Sequence, residues 1–330
     1  MSCFVFFFFF SREGFRAAAI FPLVAAGQSI GTLVIDSRSP RQLTEVEVRL
    51  LRLMANQAAL AIETARLQQE EIQRQRMEEE LAVGRQIQMS MRPPQTPRLS
   101  GWEFAAAFEA ARHVGGDFYD FFPLPGDSGR WGLAMADVSD TGVPAALFMA
   151  LSRTTIRNLA LRGRAPADVI SWANRFIQED SGADMFLTVF YGELDTNNGR
   201  LLYANAGHNP PLLWHAATAT FEALVPTCPL LGVLDDVNVR VETAELAPGD
   251  VLVLYTDGIT EAINRDYAEY GRGRLEDVVR ALLSGRPDAN AEDVQAAITA
   301  AVRAFAGPMV QVDDMTLLII KRTEVFHARY

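Results

Sequence analysis

Hydrophobic positions along the chain change period twice. Over residues 11–42, short apolar runs alternate with turn residues: Phe15 to Ala25 reads as a strand, Ala26-Gly27-Gln28 as a turn, and Ile30 to Asp36 as a second strand. A hairpin this small buries no core of its own. From residue 44 to 92 the pattern becomes helical. Thr44 with Glu47 three residues on forms a capping box, and Pro93-Pro94 marks the end. Leu53, Leu60, Leu67 and Leu81 keep a seven-residue spacing that is interrupted at Arg74. At 1.5 Å per residue such a helix is about 70 Å long. Its stretch from Gln68 to Glu80 is strongly polar. A lone polar helix of this length is marginal, so it either packs on its own chain or pairs as a parallel two-stranded coiled coil. We expect the homodimer, through residues 44–92.

Beyond residue 96 the period switches between two and 3.6. Strands are expected at Trp102–Phe108, Asp117–Phe122, Trp131–Asp137, Phe186–Asp195, Arg200–Asn205, Val237–Leu246, Asp250–Thr256 and Met315–Lys321. Helices are expected at Val143–Arg162, Ala165–Glu179, Arg274–Leu283 and Ala291–Phe305. Many strands with clustered helix pairs indicate an α+β domain over residues 96–322, not regular βαβ alternation.

Four segments of that domain place an aspartate where a hydrophobic strand stops. They are Gly115-Gly116-Asp117-Phe118-Tyr119-Asp120, Ala136-Asp137-Val138-Ser139, Tyr255-Thr256-Asp257-Gly258 and Asp313-Asp314-Met315-Thr316. One such Asp is ordinary turn chemistry. Four, beside glycines that allow close backbone approach, suggest convergence on hard cations such as Mg²⁺ or Mn²⁺. Without metal, converging carboxylates repel and some take up protons.

Composition narrows the chemistry. Of 330 residues, 49% are hydrophobic and 22% charged, which excludes a mainly disordered chain and suggests roughly two domains. Basic residues number 30 against 41 acidic, a net charge of −11. So acidic a chain has no general pull toward nucleic acid or an anionic membrane, and it lacks a basic, aromatic-laced stripe. Phosphate chemistry here therefore needs local cations, most simply metal ions. The only cysteines are Cys3 and Cys228, too few for a disulfide framework or a Cys-rich zinc site; a reducing cytoplasm is the simplest setting. The Phe-rich run Phe4–Phe10 is far shorter than the ~20 residues that span a bilayer, and it lacks the flanks of a signal peptide.

Residues 96–322 resemble the SpoIIE-like (RsbU-type) branch of the PPM family, the metal-dependent Ser/Thr protein phosphatases. The matching blocks run in order: Val114 to Asp120, Asp137-Val138-Ser139 with Gly142 to Leu147, Phe190-Tyr191-Gly192, Asn205-Ala206-Gly207-His208-Asn209-Pro210-Pro211, Pro248-Gly249-Asp250, Leu254 to Ala262, and Asp313-Asp314-Met315-Thr316. The resemblance implies an αββα sandwich with metals at one edge. It implies that Asp137 bridges two Mn²⁺ or Mg²⁺ ions with the Val138 carbonyl as a further ligand. Asp257 and Asp313 then hold one ion, and Asp117 holds metal-bound water or a further ion. Asp314 abuts Asp313 and is easily mistaken for it, and Asp120 caps or supports the site. Two ions roughly 3.5–4 Å apart lower the pKa of a shared water, which attacks phosphoserine or phosphothreonine in line. The implied substrate is a phosphorylated STAS-type anti-sigma factor antagonist. The alternative is a weakly active or inactive docking module that binds the antagonist without hydrolysis.

The chain departs from the family pattern at Asp140, where Gly is usual, and at His113, where Glu is frequent. Arg112 or His113 either touches substrate phosphate or is a partly exposed strand residue. His208 reads as a loop-packing histidine and Cys228 as a loop residue. Residues 13–68 resemble the C-terminal part of a GAF domain, a small-molecule sensor, with Leu43-Thr44-Glu45 and Ala55 to Ile62 in its last helix. The implied organisation is a partial GAF hairpin at 1–43, its last helix continuing to about 68, a helical linker over 44–94, and the phosphatase domain. In similar proteins the linker biases the phosphatase between poorly and well metal-bound states.

Overall fold

The computed structural model describes residues 14–126, 129–180 and 185–323; the Phe4–Phe10 run and Cys3 lie outside them. The chain divides into two compact units, Met1–Glu80 and Leu81–Tyr330.

In the first unit, β1 (Ala17–Ala25) and β2 (Gln28–Ser37) form an antiparallel hairpin, with Ala17 opposite Ser37. One face of β1 buries Ala19 and Phe21 with Ala55 of the long helix α1 (Glu45–Met91). Helix α1 opens on the expected capping box: the Thr44 amide donates to Glu47 Oε2 at 2.8 Å, and the Glu47 amide donates to Thr44 Oγ1 at 3.3 Å. The heptad residues Leu53, Leu60 and Leu67 project from it exposed. Arg74, which breaks the heptad, is held by ion pairs to Glu71 and Glu78.

The second unit contains the C-terminal end of α1 and an αββα sandwich. Its elements are β3 (Trp102–Glu109), β4 (Phe118–Pro123), β5 (Arg130–Val138), α2 (Val143–Leu161), α3 (Pro166–Asp180), β6 (Leu187–Asp195), β7 (Arg200–Ala206), β8 (Leu212–His215), β9 (Thr220–Ala223), β10 (Glu242–Glu245), β11 (Val251–Tyr255), α4 (Asp257–Thr260), α5 (Gly271–Gly285), α6 (Ala291–Ala306) and β12 (Met315–Arg322). Two five-stranded sheets have the orders β10-β7-β6-β5-β4 and β3-β12-β11-β8-β9. All their pairings are antiparallel. The strand expected over Val237–Leu246 shrinks to β10, because only Glu242–Glu245 find partners on β7, at Tyr203 to Arg200.

Strand parity builds three apolar layers. Phe104, Phe121, Leu133, Met135, Phe190, Leu252, Leu254, Leu318 and Ile320 point between the sheets. The alternate residues Ala105, Val251, Val253, Leu317 and Ile319 face outward, under α5 and α6. Ala134, Ala136, Val189 and Tyr191 pack outward under α2 and α3. A fully buried Leu, Ile or Phe stabilises by roughly 1.5–3 kcal/mol, so the inter-sheet layer is the main clamp between the two sheets. Asp120 lies on the outward face of β4 and is buried; it takes ion pairs from Arg153 at 2.9 Å and Arg157 at 2.8 Å, which pin α2 to the sheet.

Candidate metal centre

At one end of the inter-sheet layer the inward positions turn from apolar to polar. Continuing the parity of Tyr119 and Phe121 backward gives Asp117; continuing Leu133 and Met135 forward gives Asp137, opposite Thr188 on β6. From the other sheet the same rule delivers Thr256, after Leu252 and Leu254, and Thr316, before Leu318 and Ile320. Both threonine hydroxyls donate to the same oxygen, Asp117 Oδ2, at 2.6 Å each. Asp117 is thus a carboxylate buried between two sheets and tied to both. Asp257 opens α4 directly beyond β11, and Asp313 stands two residues before β12.

The four acids meet electrostatically. Burial and the neighbouring Asp137 push the Asp117 carboxyl well above its ordinary range, against the pull of the two threonine donors. Asp137 is pushed up to about 7 by burial and then by the charges of Asp257 and Asp313, and it hydrogen-bonds Asp117. Asp257 is pushed up to about 6 by burial, Asp313 and Glu261. Its Oδ1 is buried without a hydrogen-bond partner. A buried carboxylate oxygen with no donor is unfavourable unless a cation meets it.

Asp314 faces differently. Its carboxylate accepts from the Ala111 amide at 2.9 Å and also receives the amides of Gly116 and Asp117, so it holds the loop that carries Asp117. That loop also grips the end of α1. Gln88 is buried, donates its Nε2 to the Gly115 carbonyl at 2.5 Å and accepts the Gly115 amide at 3.2 Å. Nothing in the helical pattern marks Gln88 as special; only the fold shows that its amide replaces two backbone partners.

The remaining candidates take secondary places. Arg112 and His113 lie exposed in the loop before Gly115. His208 is buried, with Nδ1 2.9 Å from Thr188 Oγ1, and burial holds its pKa down to about 3, so it packs as a neutral ring. Burial pushes the Cys228 thiol up to about 11, which keeps it protonated. Asp140 has φ 76, the left-handed region that explains why glycine suits this place, and its carboxylate accepts the Thr141 amide at 2.7 Å.

The donor set is all hard oxygen, matching Mg²⁺ or Mn²⁺ and not a soft thiolate metal. Among the described residues, no three acidic, His or Cys side chains already stand as a finished coordination group. The charges of Asp257 and Asp313 act on Asp137, which is hydrogen-bonded to Asp117.

The Stage II sporulation protein E (SpoIIE) family model matches residues 127–323, and a GAF domain model matches residues 8–63. Protein IcfG of Synechocystis sp. is 31% identical over 270 residues, 74% of this chain and 41% of that protein. Phosphoserine phosphatase RsbU of Bacillus subtilis is 29% identical over 187 residues, 57% of this chain and 55% of that one. The chain thus spans about half the length, or less, of these curated relatives. The solved SiaA-PP2C domain of Pseudomonas aeruginosa shares the fold with a TM-score of 0.66 at 21% identity, covering 76% of this chain and 98% of that one.

Proposed function

This chain belongs to the SpoIIE family, and from that premise we propose that it is a metal-dependent protein-serine/threonine phosphatase. The observation that carries the reading is the meeting of Asp117, Asp137, Asp257 and Asp313 at one rim, where burial and mutual repulsion raise Asp137 to about 7 and Asp257 to about 6. Such a set is stable when hard divalent ions supply the missing charge. Asp137 would bridge two ions with the Val138 carbonyl beside it, Asp257 and Asp313 would hold one of them, and Asp117 would hold a further ion or its water. Mg²⁺ or Mn²⁺ held there would supply charge against the phosphate and acidify water. Thr256 and Thr316 orient Asp117, and Asp314 fixes its loop.

The relative RsbU is named a phosphoserine phosphatase. By family resemblance the substrate is a phosphoserine form of a STAS-type anti-sigma factor antagonist, in the cytoplasm. Among the described residues no helix is long and apolar enough to cross a membrane. The test is hydrolysis of p-nitrophenyl phosphate with Mn²⁺, with and without chelator, followed by dephosphorylation of a phospho-STAS protein pulled from the native cell. Absence of metal-dependent turnover would favour the second reading, a docking module. That reading draws on Asp140, which stands at φ 76 in the loop after Asp137 where glycine is usual.

The division into a GAF fragment at 1–43, a linker at 44–94 and the phosphatase at 96–322 suggests how the enzyme is controlled. The exposed heptad leucines support a homodimeric coiled coil over residues 44–92. A monomeric mass by light scattering, with activity unchanged when the helix is deleted, would remove it. The Gln88 clasp on Gly115 supports coupling of this helix to the loop of Asp117. Gln88→Ala leaves a buried amide and carbonyl unpaired, at about 1–3 kcal/mol. We expect the Mn²⁺ concentration for half-maximal turnover to rise several-fold. An unchanged Mn²⁺ requirement would show that the clasp is structural only.

A further inference from the structure

The loop from α6 to β12 is built in an unusual way. Gln311 turns inward, and its Nε2 donates both to the Glu109 carbonyl at the end of β3, at 2.8 Å, and to the Asp313 carbonyl, at 2.7 Å. With that amide stapled down, its neighbours at alternate positions are turned to water: Val310 is 82% exposed and Val312 68%. The two valines flank Gln311 and stand next to the candidate ligand Asp313, forming a small exposed apolar patch at the candidate site.

Beside them runs a groove of about 350 Å³. Ile263, Val302 and Met315 give it an apolar floor, Glu261 and Glu269 stand on its edge, and it opens at Asp313. Glu109, also on the groove, is paired with Arg303. Glu261 and Glu269 have no ion-pair partner among the described residues, and they repel each other. The groove is therefore apolar in its depth, anionic at its edge, and reaches the candidate metal centre at Asp313. An occupant that fits this lining brings both an apolar and a cationic group.

We infer that this groove binds the polypeptide segment flanking the phosphoserine of a protein substrate, taking an apolar side chain against Val310 and Val312 and a Lys or Arg against Glu261 and Glu269. The inference rests on the phosphatase reading and adds to it the sequence class of the substrate. A free divalent cation is a weaker occupant, since it has no use for the two valines.

Two phosphoserine peptides of equal length test this, one with Arg and Leu beside the phosphoserine and one with Asp and Gly, together with p-nitrophenyl phosphate. The full chain is expected to hydrolyse the Arg/Leu peptide with a kcat/KM at least about tenfold higher, the scale of one good apolar contact. Val310→Ser/Val312→Ser should lower that kcat/KM about tenfold and leave p-nitrophenyl phosphate turnover unchanged. Glu261→Gln/Glu269→Gln should shrink the ratio between the two peptides to about twofold. No preference in the natural chain, or a preference that survives both double variants, overturns the groove. If p-nitrophenyl phosphate is not hydrolysed, the phosphatase reading itself fails. Fluorescence anisotropy of the labelled Arg/Leu peptide then decides the groove: about tenfold weaker binding to the valine variant supports it, and equal binding overturns it.

Discussion

Asp137→Asn is expected to reduce Mn²⁺-dependent hydrolysis of p-nitrophenyl phosphate by about a thousandfold or more, the scale on which loss of a central electrostatic element acts. Asp137 is the acid that feels both Asp257 and Asp313 and also hydrogen-bonds Asp117, so it links every member of the cluster. Asn preserves the shape and removes the charge. In chelator the variant should melt no lower than the natural chain, because the charge removed is one that its neighbours repel. In Mn²⁺ the natural chain should gain melting temperature by mass action and the variant should not. A variant that keeps a tenth of the activity, or that gains the same Mn²⁺ stabilisation, would show that the cluster is not the metal centre.

The second large effect is expected from one methyl group. A Cβ on Gly258 would lie 2.1 Å from the Asp314 carbonyl oxygen, 2.8 Å from its carbon and 3.2 Å from the Asp313 carbonyl oxygen. These are backbone atoms of the segment that carries two of the acids, and β12 fixes that segment from the other side. Gly258→Ala therefore forces α4 and the Asp313-Asp314 segment apart. Overpacking of this kind costs about 1–3 kcal/mol. Activity should fall further than stability, since Asp257 and Asp313 sit on the two parts being separated. Chemical denaturation combined with p-nitrophenyl phosphate turnover reads both. A variant with natural stability and turnover would mean that the two segments are not held together as described.

Gly115 makes the same point from the opposite direction: a Cβ there would lie 1.7 Å from Asp314 Oδ2. The glycines of the Asp-bearing blocks are thus spaces for carboxylates and carbonyls. The turn residue Asp140, by contrast, holds a glycine-like φ through its own side chain, which is open to solvent. This departure from the family pattern strains a surface loop without touching Asp137.

Much of this protein was legible in its sequence because local period reports burial. The apolar runs of Trp102–Glu109 and Met315–Arg322, the 3.6 repeat of α2 and α6, and the Thr44 capping box all follow from single segments. The Asp blocks stood out because an acid at a strand end has few reasons to recur beside glycine. The four-residue strands Leu212–His215 and Thr220–Ala223 were missed, since so short a segment shows no period; the first is a strand only because β11 pairs with it, and the second only because it pairs with the first. Gln88 and Gln311 carried no signal at all. An amide side chain becomes important only when a loop from elsewhere presents unpaired backbone groups to it, here Gly115, Glu109 and Asp313. By itself the sequence determined most of the strands and helices and which acids were candidates. Tertiary structure alone decided which acids confront one another and which, like Asp120 and Asp314, are bound to arginines or amides. A carboxylate's role depends on the charges and donors within a few ångströms of it, and those come from strands far apart along the chain.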